Sequence, residues 1–138
     1  MKTPTDKVKE SDIELVQGKG TKGSGGSAGG YYWHVYCKDK RVGRVYINLV
    51  THESGKEYAS ITVELNQDSR GRGIGAICFR RACELSGYNK VYAEMRKSNI
   101  ASQKAAARAG FSPAKGYKGP QLLMVWSGKK QRSTEKDE

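Results

Sequence analysis

Arg70-Gly71-Arg72-Gly73-Ile74-Gly75 is the stretch of this chain whose residue types and spacing point most directly at chemistry. Glycines this closely spaced ahead of an apolar helical repeat leave backbone N–H groups open at a helix start, and the positive end of the helix adds to them. Such a turn is an anion site, suited to a phosphorylated ligand. Two carboxylates, Glu64 and Glu94, lie in the strand-like runs on either side of it. Asn99 stands before an Ala-rich run, where it can cap a helix.

The elements that must position these residues can be read from periodicity. From Tyr58 to Leu65, Ala59, Ile61, Val63 and Leu65 alternate with Tyr58, Ser60, Thr62 and Glu64. That period of two predicts a strand. Ile74, Ile77, Cys78, Ala82 and Leu85 then recur at helical spacing, and Gly87 stops the helix. Val91 to Met95 reads as the next strand, and a short helix follows Asn99 and ends at Gly110. Upstream, Ser11 to Val16 reads as a strand. Trp33, Val35 and Cys37 alternate with Tyr32, His34 and Tyr36, and Val45, Ile47 and Leu49 form the inward side of another strand. Lys38 to Arg41 and His52 to Glu57 read as turns, and Leu122 to Trp126 as a closing apolar run. Antiparallel strands first and crossover helices later make an α+β layout with a mixed sheet.

The turn is not a dinucleotide fingerprint, which needs G-x-G-x-x-G, nor a P-loop, which needs G-x-x-x-x-G-K-[ST]. It reads R-x-x-G-x-G through Arg70, Gly73 and Gly75, and this resembles the pyrophosphate loop of the GNAT superfamily of acyl-CoA N-acyltransferases. The preceding strand end Val63 to Leu65, then Asn99 and Gly110-Phe111, fall at the family's spacing, so the resemblance covers residues 31–126. It implies a mixed, mostly antiparallel sheet and acetyl-CoA, or another acyl-CoA, as cofactor. It implies that backbone groups of Val63 and Leu65 hold the pantetheine arm like an added strand. Arg70 and the amides of Gly71, Arg72, Gly73, Gly75 and Ala76 would cradle the pyrophosphate. Asn99 is similar to an asparagine that contacts the pantetheine, although a plain helix cap explains it equally.

The segment Glu94-Met-Arg-Lys-Ser-Asn99 through Gly110-Phe111 resembles that of the N-terminal protein acetyltransferases. There the glutamate can act as general base and a tyrosine protonates the leaving thiolate. Glu94 keeps the first position, with Glu64 as the second carboxylate candidate, but Ala106 stands at the tyrosine position and has no proton to give. Ser102 or Tyr117 can supply a hydroxyl instead, or a thiol of pKa about 8.5 leaves unaided. A second departure lies upstream. The helix pair that the family places between its first two strands is missing. Residues 18–30 hold seven glycines and read as flexible coil. The acceptor side should therefore be open, or ordered only by substrate or a partner chain.

With 138 residues the chain is expected to form one domain, residues 11–127, between charged tails 1–10 and 128–138. No apolar run is long enough for a membrane span, and no leader-like apolar region follows Met1. Cys37, Cys78 and Cys83 lack metal or redox spacing, which suits a reducing cytoplasm. The net charge is +11, and between Arg70 and Lys118 eleven basic residues face two acids. CoA phosphates account for part of this excess, and an anionic macromolecule or a solvated basic face for the rest. The partners expected are acyl-CoA and a macromolecular amine acceptor, protein or tRNA/DNA, with a homodimer allowed and no membrane. The same residues fit a second reading, a non-catalytic CoA-binding or basic nucleic-acid-binding module.

Overall fold

Seven strands form one sheet in the order β1-β2-β3-β4-β5-β7-β6, in a computed structural model that describes residues 8–116 and 119–128. The strands are β1 (Ile13–Gln17), β2 (Tyr31–Cys37), β3 (Lys40–Thr51), β4 (Glu57–Leu65), β5 (Lys90–Met95), β6 (Ser112–Pro113) and β7 (Leu122–Ser127). Two helices cross over, α1 (Ile74–Ser86) and α2 (Ile100–Arg108). All neighbouring strands are antiparallel except β4 and β5, so the sheet is mixed as expected. Among the described residues no helix is long and apolar enough to cross a membrane.

The alternation read from sequence sets the two faces. Val35, Val45, Ile47, Ile61, Val91 and Ala93 point at the helices and are buried with Ile77, Cys78 and Ala82. The turn between β2 and β3 places Lys38 and Asp39 at φ 49° and 72°. Two positive φ values in a two-residue loop match the right-handed twist of the strands it joins. In α1 the stripe differs from expectation at one end: Leu85 is 57% exposed, whereas Phe79 and Cys83 are buried. The buried face drifts around the helix, from Ile74 and Ile77 to Cys83 and Ser86, and leaves Leu85 outside. Gly87, at φ 78°, caps this helix in the left-handed region.

The opposite face of the sheet bears Tyr32, His34, Arg44, Tyr46, Asn48 and Tyr92, with no helix over it among the described residues. Residues 18–30 run beside it. Gly25 N–H donates to Asn48 Oδ1 at 2.8 Å, and Asn48 Nδ2 donates to the Gly23 carbonyl at 2.9 Å. Tyr88 Oη donates to the Gly29 carbonyl at the far end. A Cβ on Gly25 would stand 2.1 Å from the Tyr31 carbonyl oxygen, and one on Gly26 2.5 Å from that of Gly20. Glycine is therefore what lets this segment fold back on itself. A reading as flexible coil does not anticipate that packing.

Candidate functional site

The pairing of β4 opens the site. On one side β4 pairs with β3 over its whole length, from Glu57 to Leu65. On the other, only Ala59 and Ser60 pair with β5. The edge from Ile61 to Leu65 consequently faces a split in the sheet. A groove of about 520 Å³ begins there and runs between the turn ahead of α1 and the side of α2.

Each wall of this groove has a local cause. Gly71 and Gly73 sit at φ 78° and 86°, a region closed to most side chains, and a Cβ on Gly71 would point into open space. Gly73 is the N-cap of α1 and provides no capping side chain, and the first turn holds no acid. The early amides and the positive helix end thus stay uncompensated from within the helix. Gly75 serves the contact between helices, since a Cβ there would lie 3.3 Å from Ala105 Cβ. Asn99 caps α2, its Oδ1 accepting from Ser102 N–H at 3.1 Å. Gln103 Nε2 donates to the carbonyls of Arg96 and Lys97 and fixes the approach to that cap.

The groove gathers Val63, Glu64, Leu65, Arg70, Gly71, Gly73, Gly75, Ala76 and Asn99. Arg72 does not line it; its carbonyl accepts from Val8 N–H at 3.1 Å, which ties the N-terminal segment to the back of the turn. Glu64 sits at the groove's edge and its Oε1 accepts from Arg44 Nε at 2.6 Å. That bond holds the Arg44 guanidinium above its ordinary pKa. Glu94 lies apart. It shares no wall with the groove and lines a second cavity of about 860 Å³ with Tyr58, Ser60 and Tyr92, on the face away from the helices. Tyr58 and Tyr92 meet there edge to face, ring centres 5.7 Å apart.

Of the hydroxyls considered, Ser102 lines the groove and Tyr117 lies outside the described residues. Ala106 is fully buried, facing the core rather than the groove. Sequence reasoning missed Phe79, Lys104, Ala105 and Arg108 as groove residues. The basic pair at 104 and 108 had a signal, a spacing of one helical turn, but nothing local says which face of α2 looks inward.

Comparison with known proteins agrees with this architecture. A family model for the acetyltransferase (GNAT) domain matches residues 4–112. Aminoglycoside acetyltransferase AAC(6')-Ib, solved with ribostamycin and coenzyme A, superposes with a TM-score of 0.65 at 17% identity, over 80% of this chain and 70% of that one. RimJ from Mycobacterium smegmatis, solved with CoA-disulfide, gives 0.60 at 18% identity, over 73% and 54% of the two chains. The Campylobacter jejuni N-acetyltransferase PseH gives 0.56 at 15% identity, over 73% and 70%. No curated protein matches the sequence. A mixed sheet split beside β4, a glycine turn opening α1 and a family match over most of the chain lead to one conclusion: this chain belongs to the GNAT acetyltransferase family.

Proposed function

We propose that this chain is an N-acetyltransferase that moves an acetyl group from acetyl-CoA to an amine on a macromolecule. The observation that carries the reading is the convergence, in one groove, of a β4 edge left unpaired by β5, a glycine turn and the start of α1. Those features fit CoA. The β4 edge at Val63 and Leu65 offers backbone partners to the amide-bearing pantetheine. Arg70 and the turn from Gly71 to Ala76 suit its pyrophosphate, with Asn99 on the opposite wall. When bound, acetyl-CoA supplies an activated acyl thioester.

The chain's own residues divide the remaining work between the two faces of the sheet. Glu94 is the base, placed in the cavity on the open face, where an attacking amine must lose its proton directly or through water. Glu64 is the second carboxylate, held by Arg44. Ser102 presents a hydroxyl proton at the groove wall. A protein N-terminus, a lysine or a nucleic-acid-borne amine suits an open face whose partner can complete the pocket. The three cysteines are free and buried, which agrees with a reducing, cytoplasmic setting.

Isothermal titration calorimetry with CoA tests the reading. Binding in the micromolar range is expected, with loss in Gly73→Asp, which puts a β-carbon and a negative charge at the anion turn. Absence of binding by the wild type would refute it. The second reading, a non-catalytic CoA-binding module, is favoured by the burial of Ala106 at the position of the family's tyrosine. Transfer to any amine above background, in an acetylation assay with peptide, tRNA and polyamine acceptors, rejects that second reading.

A further inference from the structure

Two elements line the groove with cations, and the glycine turn accounts for only one of them. Arg70 and the start of α1 make the first; Lys104 and Arg108 line the wall formed by α2. These two are one helical turn apart and exposed, on a helix, IASQKAAAR, without an acidic residue. Like charges at that spacing repel and weaken a helix. Among the described residues no ion pair engages Arg70, Lys104 or Arg108. Glu64, the acid in the groove lining, is already bonded to Arg44. The glycine at 75 sets where the pair stands. With no Cβ there, the first turn of α1 lies against Ala105, next to Lys104 and three residues before Arg108. The basic pair thus flanks the anion turn.

We propose that Lys104 and Arg108 form a second phosphate subsite, which takes the 3′-phosphate of the CoA adenosine and selects CoA over dephospho-CoA. The inference rests on the acyl-CoA reading above. Among the described residues no carboxylate pairs with the α2 cations, and beyond the pyrophosphate the 3′-phosphomonoester is the remaining anionic group of CoA. The Arg108 guanidinium offers it a fork of two parallel N–H donors, and the Lys104 ammonium a mobile point charge.

The test is calorimetry of the wild type and of the Lys104→Gln/Arg108→Gln double variant, each titrated with CoA and with dephospho-CoA. The wild type should bind CoA roughly ten- to a hundredfold tighter than dephospho-CoA, the range for charge-assisted hydrogen bonds to one group. The double variant should lose that ratio yet bind dephospho-CoA as the wild type does, which also reports an intact fold. Should the double variant fail to fold, the single variants Lys104→Gln and Arg108→Gln should each lose part of the ratio. Equal affinities in the wild type, or an undiminished ratio in the variants, overturn the subsite and leave the acyl-CoA reading standing. Binding of neither nucleotide by the wild type overturns both.

Discussion

Glu64 and Glu94 look alike in the sequence, each within a β-strand, yet their surroundings differ. Glu64 is bonded to Arg44 across the β3–β4 ladder, an exposed pair of the kind that contributes up to about 1 kcal/mol. Glu94 faces a cavity beside two tyrosines. Glu94→Gln is therefore expected to lower turnover by roughly a hundredfold, within the range for a lost general base, with CoA affinity unchanged. Full activity in that variant, measured by steady-state kinetics, would move the role to Glu64 or to solvent. The cysteines give a pH prediction. Burial pushes the Cys78 thiol up to about 12 and raises that of Cys83 as well. Below the unfolded pKa of about 8.5 both states hold the proton, and this contribution to stability is fully present. As pH rises from there toward the folded value, only the unfolded chain ionises, so stability falls. Thermal melts should show a lower Tm at about pH 10.5 than at about pH 8, and native thiols should resist labelling until the chain unfolds. A constant Tm over that window would contradict the assignment.

At the scale of elements, α2 and the loop over residues 18–30 carry the departures from the family pattern. Ala106 faces the core and is fully buried, so Ala106→Tyr does not restore a proton donor. It forces a phenol into packed space and should cost roughly 1–3 kcal/mol or more, read from chemical denaturation. Ser102→Ala is the informative change for the hydroxyl, expected to lower turnover without a stability loss of that size. The loop depends on Asn48, whose carboxamide bridges Gly23 and Gly25. Asn48→Ala should speed amide exchange across residues 18–30 and raise the acceptor KM while leaving CoA affinity alone. Unchanged exchange would show that the glycine packing holds the loop without Asn48. Composition alone gives seven glycines and suggests coil. The contacts that order the segment come from residues 25 and 59 positions away, and no local pattern displays them.

For the whole molecule, the question is where a net charge of +11 acts. Arg70, Lys104 and Arg108 gather at the groove, while the open face mixes signs, with Glu57 and Glu94 beside Lys56 and Lys90 around the second cavity. Such a face suits an acceptor that brings its own surface. If that acceptor is a nucleic acid contacted through six or more phosphates, its apparent KM should rise on the order of a thousandfold between low and moderate salt. A peptide N-terminus should show only a weak rise. Efficient acetylation of spermidine or kanamycin at rates insensitive to salt would overturn the macromolecular assignment.

The residues that make local structure were readable in the chain. Alternation in Tyr58–Leu65 gives β4, since a strand shows its two faces to different surroundings. Gly73 and Gly87 mark the ends of α1, because only glycine adopts the left-handed geometry there without strain. The cap at Asn99 was equally legible. These signals depend on neighbours a few residues away. What the tertiary structure alone decided depends on distant partners. β4 separates from β5 after Ser60, and that split creates the groove. Alternation fixes that Glu94 and Ala93 point to opposite faces, but the packing of both helices on one face decides which of them reaches the core. The contact of Gly75 with Ala105, thirty residues on, swings Lys104 and Arg108 to the same groove as Arg70. Side-chain chemistry is written residue by residue, whereas which side chains share a cavity follows from how the sheet opens and the helices pack.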